Sequence, residues 1–409
     1  MFRRRVPAGQ ACHPFLHGTA LRLILCALAT LALLIFGNAL AEATTAVGAI
    51  AGSFAVTPAG ESAYTMPLPA PGGTNGLAPS LALAYVSGNG HAGAGYGVGI
   101  AGLSVIKRCA GEMALDGHTR SITLSASDRF CLDGQELTGD SGTYGDNGAT
   151  YHVSPTAHLK IISHTSGGSG FSPTSGPQWF TVLHPDGTIY EYGRYYASEV
   201  GASAPGGGEV ARVWALDAIR DPAGNAILFH YSQPSGSNAW YVSEVEWSAN
   251  STQGTDADHS LVFSWVDAPA DAVVHRYVAG NLIVWKQRLN KITLEYNGTE
   301  TLHYSLAYLP DGQGSERSRL ANVTECAGGN CLPATKFQWQ QGSSGWSGAQ
   351  SPFTLPAGHL ILVDLNGDGR DDLVYQSGGT WWVRFATSTG GFGSEHNTGV
   401  GGIAGYTGV

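Results

Sequence analysis

Residues 81–108 read "LALAYVSGNGHAGAGYGVGIAGLSVIKR", with Gly88, Gly90 and Gly93 in G-x-G-x-x-G spacing directly after a strand-like alternation. In a dinucleotide-binding unit the third glycine opens a helix whose N-terminus holds the pyrophosphate. Here glycine recurs at 95, 97, 99 and 102. Each interior glycine costs a helix about 1 kcal/mol relative to alanine, so four so close together would remove about 4 kcal/mol. A strand tolerates the pattern better. Tyr96, Val98 and Ile100 then share one face, with small residues on the other where a second backbone can approach. The run predicts a hairpin, "SLALAY" to "YGVGIAGLSVIKR", and no bound dinucleotide.

Composition extends this to the whole chain. Glycine supplies 58 of 409 residues, about twice the usual share, and charged residues only 13%. Aromatics stay at 10%, too many for a disordered low-complexity chain. Many short strands joined by tight turns follow, and with no convincing amphipathic helix after residue 41 the expected fold class is all-β.

Residues 1–41 carry Arg3, Arg4, Arg5 and Arg22 ahead of the uncharged run "LILCALATLALLIF" and end on Ala39-x-Ala41. This is the pattern of a secretory signal peptide cleaved after Ala41, and the expected localisation is extracellular. Cleavage leaves 17 basic against 31 acidic residues, a net charge of −14. So acidic a chain is repelled by phosphate backbones, and nucleic acid is not an expected partner. Four cysteines remain, Cys109, Cys131, Cys326 and Cys331, which permit three pairings. Cys109–Cys131 with Cys326–Cys331 is the sequence-local choice. Metal binding is the competing use, but neither pair has zinc-type spacing or a histidine close by.

Hairpin signals run along the chain. Pro185-Asp186-Gly187 and Pro222-Ala223-Gly224-Asn225 supply turn residues between alternating stretches in "WFTVLHPDGTIYEYG" (179–193) and "VWALDAIRDPAGNAILFHY" (213–231). Asn297-Gly298 does the same within 288–308. Residues 163–177, 201–209 and 233–240 read as flexible surface loops. The acceptor patterns "NST" (250–252), "NGT" (297–299) and "NVT" (322–324) read as turn chemistry.

The block 52–109 closely resembles the opening of the SpvB N-terminal domain family, which includes the B components of Tc-type toxin complexes and secreted relatives joined to Rhs/YD-repeat shells. The resemblance rests on Gly52-x-Phe54, Pro67-x-Pro69-x-Pro71-Gly72, Gly76, Pro79-x-Leu81, Tyr85-x-Ser87-Gly88-x-Gly90, the Gly93–Gly97 run and Ile106-x-Arg108. "DRFCLDGQEL" (128–137) resembles the next family landmark, Asp221…Gly224-Asn225…Tyr231 a YD/Rhs unit, and 318–339 the end of the domain. The resemblance implies a large curved antiparallel sheet of many hairpins, Rhs-shell-like, over residues 42–340. A Cys326–Cys331 bridge there would pin a loop carrying Gly328-Gly329.

A Gly/Ser linker, 341–356, precedes a last segment, 357–409, with one metal-ligand motif. In "DLNGDGRDD", Asp364, Asn366, Asp368 and Asp372 occupy positions 1, 3, 5 and 9 of a calcium-type loop, with Gly369 at the sharp turn. Ca²⁺ takes six or more hard oxygens, and the Arg370 carbonyl at position 7 adds one. Tyr375 stands where an EF-hand needs a bidentate Glu, and the flanks read as strands. The loop resembles an FG-GAP/VCBS repeat, which implies the first blade of an integrin-like β-propeller and a structural Ca²⁺. One blade exposes both faces, so the chain is expected to be part of a longer protein.

No nucleophile elbow, H-E-x-x-H, Walker A or C-x-x-C motif is present. His184 beside Asp186 sits in a predicted turn, and Asp128, Arg129 and Asp133 read as a surface turn with an optional ion pair. The expected function is therefore a secreted, non-enzymatic scaffold that encloses or delivers a toxin polypeptide. Its expected partners are another toxin-complex or Rhs-shell polypeptide and a host-cell surface. The alternative is a cell-surface adhesion or carbohydrate-binding protein using exposed Trp and Tyr.

Overall fold

The computed structural model describes residues 48–91, 93–153, 158–168, 176–195, 197–309, 318–339 and 360–401. The expected signal peptide, 1–41, and the expected linker, 341–356, lie outside them. The chain divides into two compact units, Met1–Gln338 and Trp339–Val409. Helix among the described residues is confined to the turn Met113–Asp116 and two 3-10 turns, and none is long and apolar enough to cross a membrane.

In the first unit twelve strands pair antiparallel, each with the next. The series runs Thr138–Ser141, Thr150–His152, Lys160–His164, Trp179–Leu183, Ile189–Tyr192, Glu209–Arg220, Asn225–Ser232, Tyr241–Asn250, His259–Asp267, Gln287–Tyr296, Thr299–Tyr308 and Leu320–Ala327. Local turn chemistry makes most of these joins. At 297–298 both residues take positive φ (48° and 69°), the geometry of a two-residue hairpin whose twist matches its strands. At 221–225 the Asp221 carboxylate accepts the N–H groups of Ala223 and Asn225, each at 2.9 Å, closing the turn from within. Register shifts recur along the array, as at Ala226/Ile227, Ser264/Trp265 and Leu294/Glu295. Each bulge adds right-handed twist, so the array bends as it grows.

The twelve-residue strand Glu209–Arg220 organises the unit. Its second half pairs with Ile189–Tyr192 and Asn225–Ser232, and its first half with Glu199–Ser203 and Val105–Cys109. Residues 210–218 are all buried, covered on both faces, which is why the stretch is nearly continuous in apolar side chains. Trp214 at its centre is fully buried. Phe130 and Phe180 meet it edge-on at 5.3 and 5.0 Å, and Tyr151 packs on Phe180 at 6.3 Å. Such edge-to-face pairs add about 0.5–1.5 kcal/mol each beyond the area they bury.

The structure revises four expectations. The segment 96–108 is not one strand. Val98–Ala101 belongs to a separate four-stranded sheet with Ala82–Val86, Ser62–Pro67 and Ser53–Val56, whereas Val105–Cys109 enters the main array. The break falls at Gly102, with φ +93° and a backbone approach so close that a Cβ would lie 2.1 Å from the Ser80 carbonyl oxygen. Tyr96 precedes the strand and bridges to His91. The 201–209 stretch is a tight hairpin rather than a flexible loop, closed by Ala204 N–H on the Gly208 carbonyl at 3.0 Å. Within 233–240, Ser237 and Ala239 are buried. Asn322 lies inside the strand Leu320–Ala327 and not in a turn.

The second unit is a four-stranded antiparallel meander: Leu360–Val363, Asp372–Ser377, Thr380–Ala386 and Phe392–Gly401. Trp381 and Trp382 lie on its third strand. Its first strand is exposed at all four positions, an apolar edge with nothing packed on it among the described residues.

Candidate functional site

The acidic turn between the first two strands of the second unit is held by its own hydrogen bonds. Asp364 accepts the N–H groups of Gly367 (2.8 Å), Asp368 (3.2 Å) and Gly369 (2.8 Å), and the Gly369 amide leads in holding its carboxyl below the usual range. Asn366 bonds Asp368 through both its amide atoms, and Asp368 pairs with the Arg370 guanidinium at 2.7 Å. Asp372 is fully buried and accepts from Leu365 and Ala386 N–H groups with its two oxygens. The donor types suit a hard cation. The side chains of Asp364, Asn366 and Asp368 bond within the turn, and among the described residues no three acidic, histidine or cysteine side chains converge as a metal cluster.

Both disulfides take the sequence-local pairing. Cys109–Cys131 ties two neighbouring strands of the main array (Cα–Cα 5.8 Å), and Cys326–Cys331 closes the hairpin over Gly328-Gly329 (4.0 Å).

His184 and Asp186 lie in the turn expected of them. Asp186 caps Thr188 N–H at 2.9 Å within its turn, and His184 packs on Tyr190. Asp128 and Arg129 each form an ion pair, but not with one another. Asp128 meets the buried Arg108 at 3.2 Å, and Arg129 reaches Asp116. Arg108 also donates to the carbonyls of Ala211 and Ser125, tying its strand to the long one. Asp133 caps Val105 N–H and accepts the Ser104 hydroxyl.

Two buried carboxyls on neighbouring strands gave no motif. Asp217 accepts from the backbone N–H groups of Arg194 and Tyr195 and from the Ser198 hydroxyl at 2.9 Å, yet burial pushes it up to about 7. Glu199 is 4% exposed, neither of its carboxylate oxygens has a hydrogen-bond partner among the described residues, and burial pushes it up to about 9.

The glycine run leads to the feature that sequence reasoning missed. A cavity of about 270 Å³ is lined by His91, Gly93, Trp240, Tyr241, Trp265 and Trp285. The Tyr241 ring lies 4.8 Å from Trp265 and 5.3 Å from Trp285, and Trp240 lies 6.3 Å from Trp285. Gly93 has φ +87°, and a Cβ on it would meet the Trp265 ring at 3.2 Å, so glycine lets the loop backbone lie directly on the indole. The carbonyl of Gly93 accepts Leu289 N–H at 3.0 Å, anchoring the loop to the array. Two of the wall's polar groups bond outside the cavity. The Trp265 N–H donates to the Val242 carbonyl, and the Tyr241 hydroxyl accepts from the Lys286 and Gln287 N–H groups. His91 differs. Its Nδ1 accepts Gly93 N–H at 3.4 Å, while its Nε2 is buried with no partner among the described residues. The wall is assembled from His91, Gly93, Trp240, Tyr241, Trp265 and Trp285, and no short sequence window contains it.

The SpvB family model, described as Salmonella virulence plasmid 65kDa B protein, matches residues 56–262. No curated protein matches the chain. Among solved structures, the TcdB2-TccC3 crystal structure shares the fold over 88% of this chain and 21% of that one, with 19% identity and a TM-score of 0.64. A Photorhabdus luminescens Tc holotoxin pore gives 0.64 at 20% identity, over 88% of this chain and 20% of that one. The N-terminal domain of the effector protein SpvB from Salmonella typhimurium strain LT2 gives 0.51 at 17% identity, over 64% of this chain and 98% of that domain. The chain thus spans about a fifth of the length of the two Tc structures. With half of its length matched by the family model, and the fold repeated in these structures, this chain belongs to the SpvB family.

Proposed function

We propose that the chain is the N-terminal scaffold of a toxin-complex-like protein, secreted and without a catalytic step, which helps to enclose or deliver a toxin polypeptide. One observation carries the reading: the fold shared with TcdB2-TccC3 over 88% of this chain. The architecture suits it physically. A sheet that grows by adding one hairpin to the last has no fixed size, and its bulges curve it into a wall. The partner is another toxin-complex or Rhs-shell polypeptide. Co-expression with a toxin-complex polypeptide such as TccC3, followed by protease challenge, tests this. Co-elution and a slower loss of that polypeptide are expected; separate elution with unchanged digestion defeats the reading.

In the same proposal residues 360–401 form the first blade of an FG-GAP/VCBS-type propeller. The meander, the acidic turn and the apolar outer strand support this. Calcium at the turn requires Asp368 to release the Arg370 guanidinium and the Asn366 amide N–H that now occupy its carboxylate. Hydrogen exchange on the full chain is the measurement: calcium should slow the amides of 367–369, and Asp364→Ala should abolish that response. Identical exchange in calcium and in chelator removes the cation from the account.

A further inference from the structure

The aromatic cavity has one wall that the main array does not supply. Strands Val274–Val278 and Asn281–Trp285 pair with one another and, among the described residues, with no other strand. So short a ribbon is marginal by itself. It is pinned to the array instead. Asn281 accepts the Ser203 N–H and donates to the Ser203 carbonyl, each at 2.9 Å, and the Val284 N–H donates to the Ser237 carbonyl at 2.7 Å. Alternation along the ribbon separates its two faces. Ile283 is buried against Ala239 and Tyr241, and Trp285 on the same face lines the cavity, whereas Tyr277 on the other face is 71% exposed.

The lining chooses its ligand by elimination. Besides the four rings it consists of Ile100, Leu103, Val242, Gly93 and His91, with no carboxylate, ammonium or guanidinium among the described residues. Burial first, and the Arg276 guanidinium second, hold His91 below its ordinary value, so it is uncharged at pH 7. An ion entering this space would give up its water and meet no opposite charge. A cation, which indole faces ordinarily attract, is opposed by Arg276 as well. A dry apolar cavity of about 150 Å³ holds a benzene, so one of about 270 Å³ has room for two fused rings.

We infer that this cavity binds a small neutral apolar compound of one or two rings, seated against Trp240, Tyr241, Trp265 and Trp285. The site goes beyond the scaffold reading, and neither depends on the other.

Isothermal titration calorimetry of the full chain with indole, indole-3-acetate and tryptamine tests this, since the three share a ring system and differ in charge. Saturable binding of indole, at least tenfold tighter than either ion, is expected. Leu103 sits in the short connection 102–104, outside any strand, so Leu103→Trp fills the cavity without touching a ladder and should weaken indole at least tenfold. Trp285→Ala removes the ribbon's wall and should do the same, while Tyr277→Ala on the opposite face should bind like the parent. Urea unfolding checks that each variant is folded. No saturable heat with indole, an ion that binds as well, or parent-like binding by a folded Leu103→Trp or Trp285→Ala would each overturn the assignment.

Discussion

At the scale of single residues, this protein stores its unusual chemistry in carboxyls kept out of water. Asp217 earns three hydrogen bonds and still sits near 7, whereas Glu199 has none and sits near 9. Both are raised above their unfolded values, so their contribution to stability is fully present below about pH 4 and is lost as pH rises through the folded values. While the folded state keeps a proton that the unfolded chain has released, stability falls by about 1.4 kcal/mol per pH unit for each group. Between pH 5 and 7 both groups act; between 7 and 9 only Glu199 does. Glu199→Gln should therefore flatten the decline between pH 7 and 9 and raise stability at pH 8, measured by urea unfolding across that range. A variant with the parent's slope would place the proton elsewhere. Neither residue was legible in the sequence, because "SEV" and "ALDA" look like any strand and the burial comes from neighbours far along the chain.

At the scale of elements, what was legible was what is local. Asn297-Gly298, Asp186 and Asp221 announce their turns because a turn is made by four or five adjacent residues, and the structure builds hairpins at each. The pairing of Val105–Cys109 with the middle of Glu209–Arg220 was not legible, since nothing in either strand names its partner. The break at Gly102 was hidden for the same reason: the glycine is needed by the Ser80 backbone, not by its own neighbours. The aromatic cavity failed to show because its wall comes from four segments. The two disulfides differ at this scale as well. In the chain-entropy view the bridge spanning 22 residues stabilises by about 3 kcal/mol and the one spanning 5 by about 2. Replacing Cys109 and Cys131 together by Ser should lower the urea midpoint more than replacing Cys326 and Cys331. The reverse order would show that loop length is not what governs them.

At the scale of the whole molecule, the main array of the first unit is, among the described residues, a series of neighbour-to-neighbour pairings joined by the distant one between Val105–Cys109 and Glu209–Arg220. Sheets with long-range pairing fold slowly, on the millisecond-to-second scale, because loop closure precedes any reward. Refolding of the disulfide-intact chain should show a phase that is slowed by Ile106→Ala, which weakens the partner of Trp214 across that pairing. Stopped-flow tryptophan fluorescence reads it, and an unaffected refolding rate would mean the contact forms late.

That distant pairing also sets a timetable for synthesis. Hairpins beyond residue 138 can join the growing edge soon after they leave the ribosome. The strand at 105–109 cannot: its partner at 213–215 emerges about a hundred residues later, roughly 5–20 seconds at bacterial rates of elongation. Throughout that interval Val105–Cys109 has Arg129–Leu132 on one side and an open edge on the other, and the bridge from Cys109 to Cys131, once formed, ties that pair of strands together.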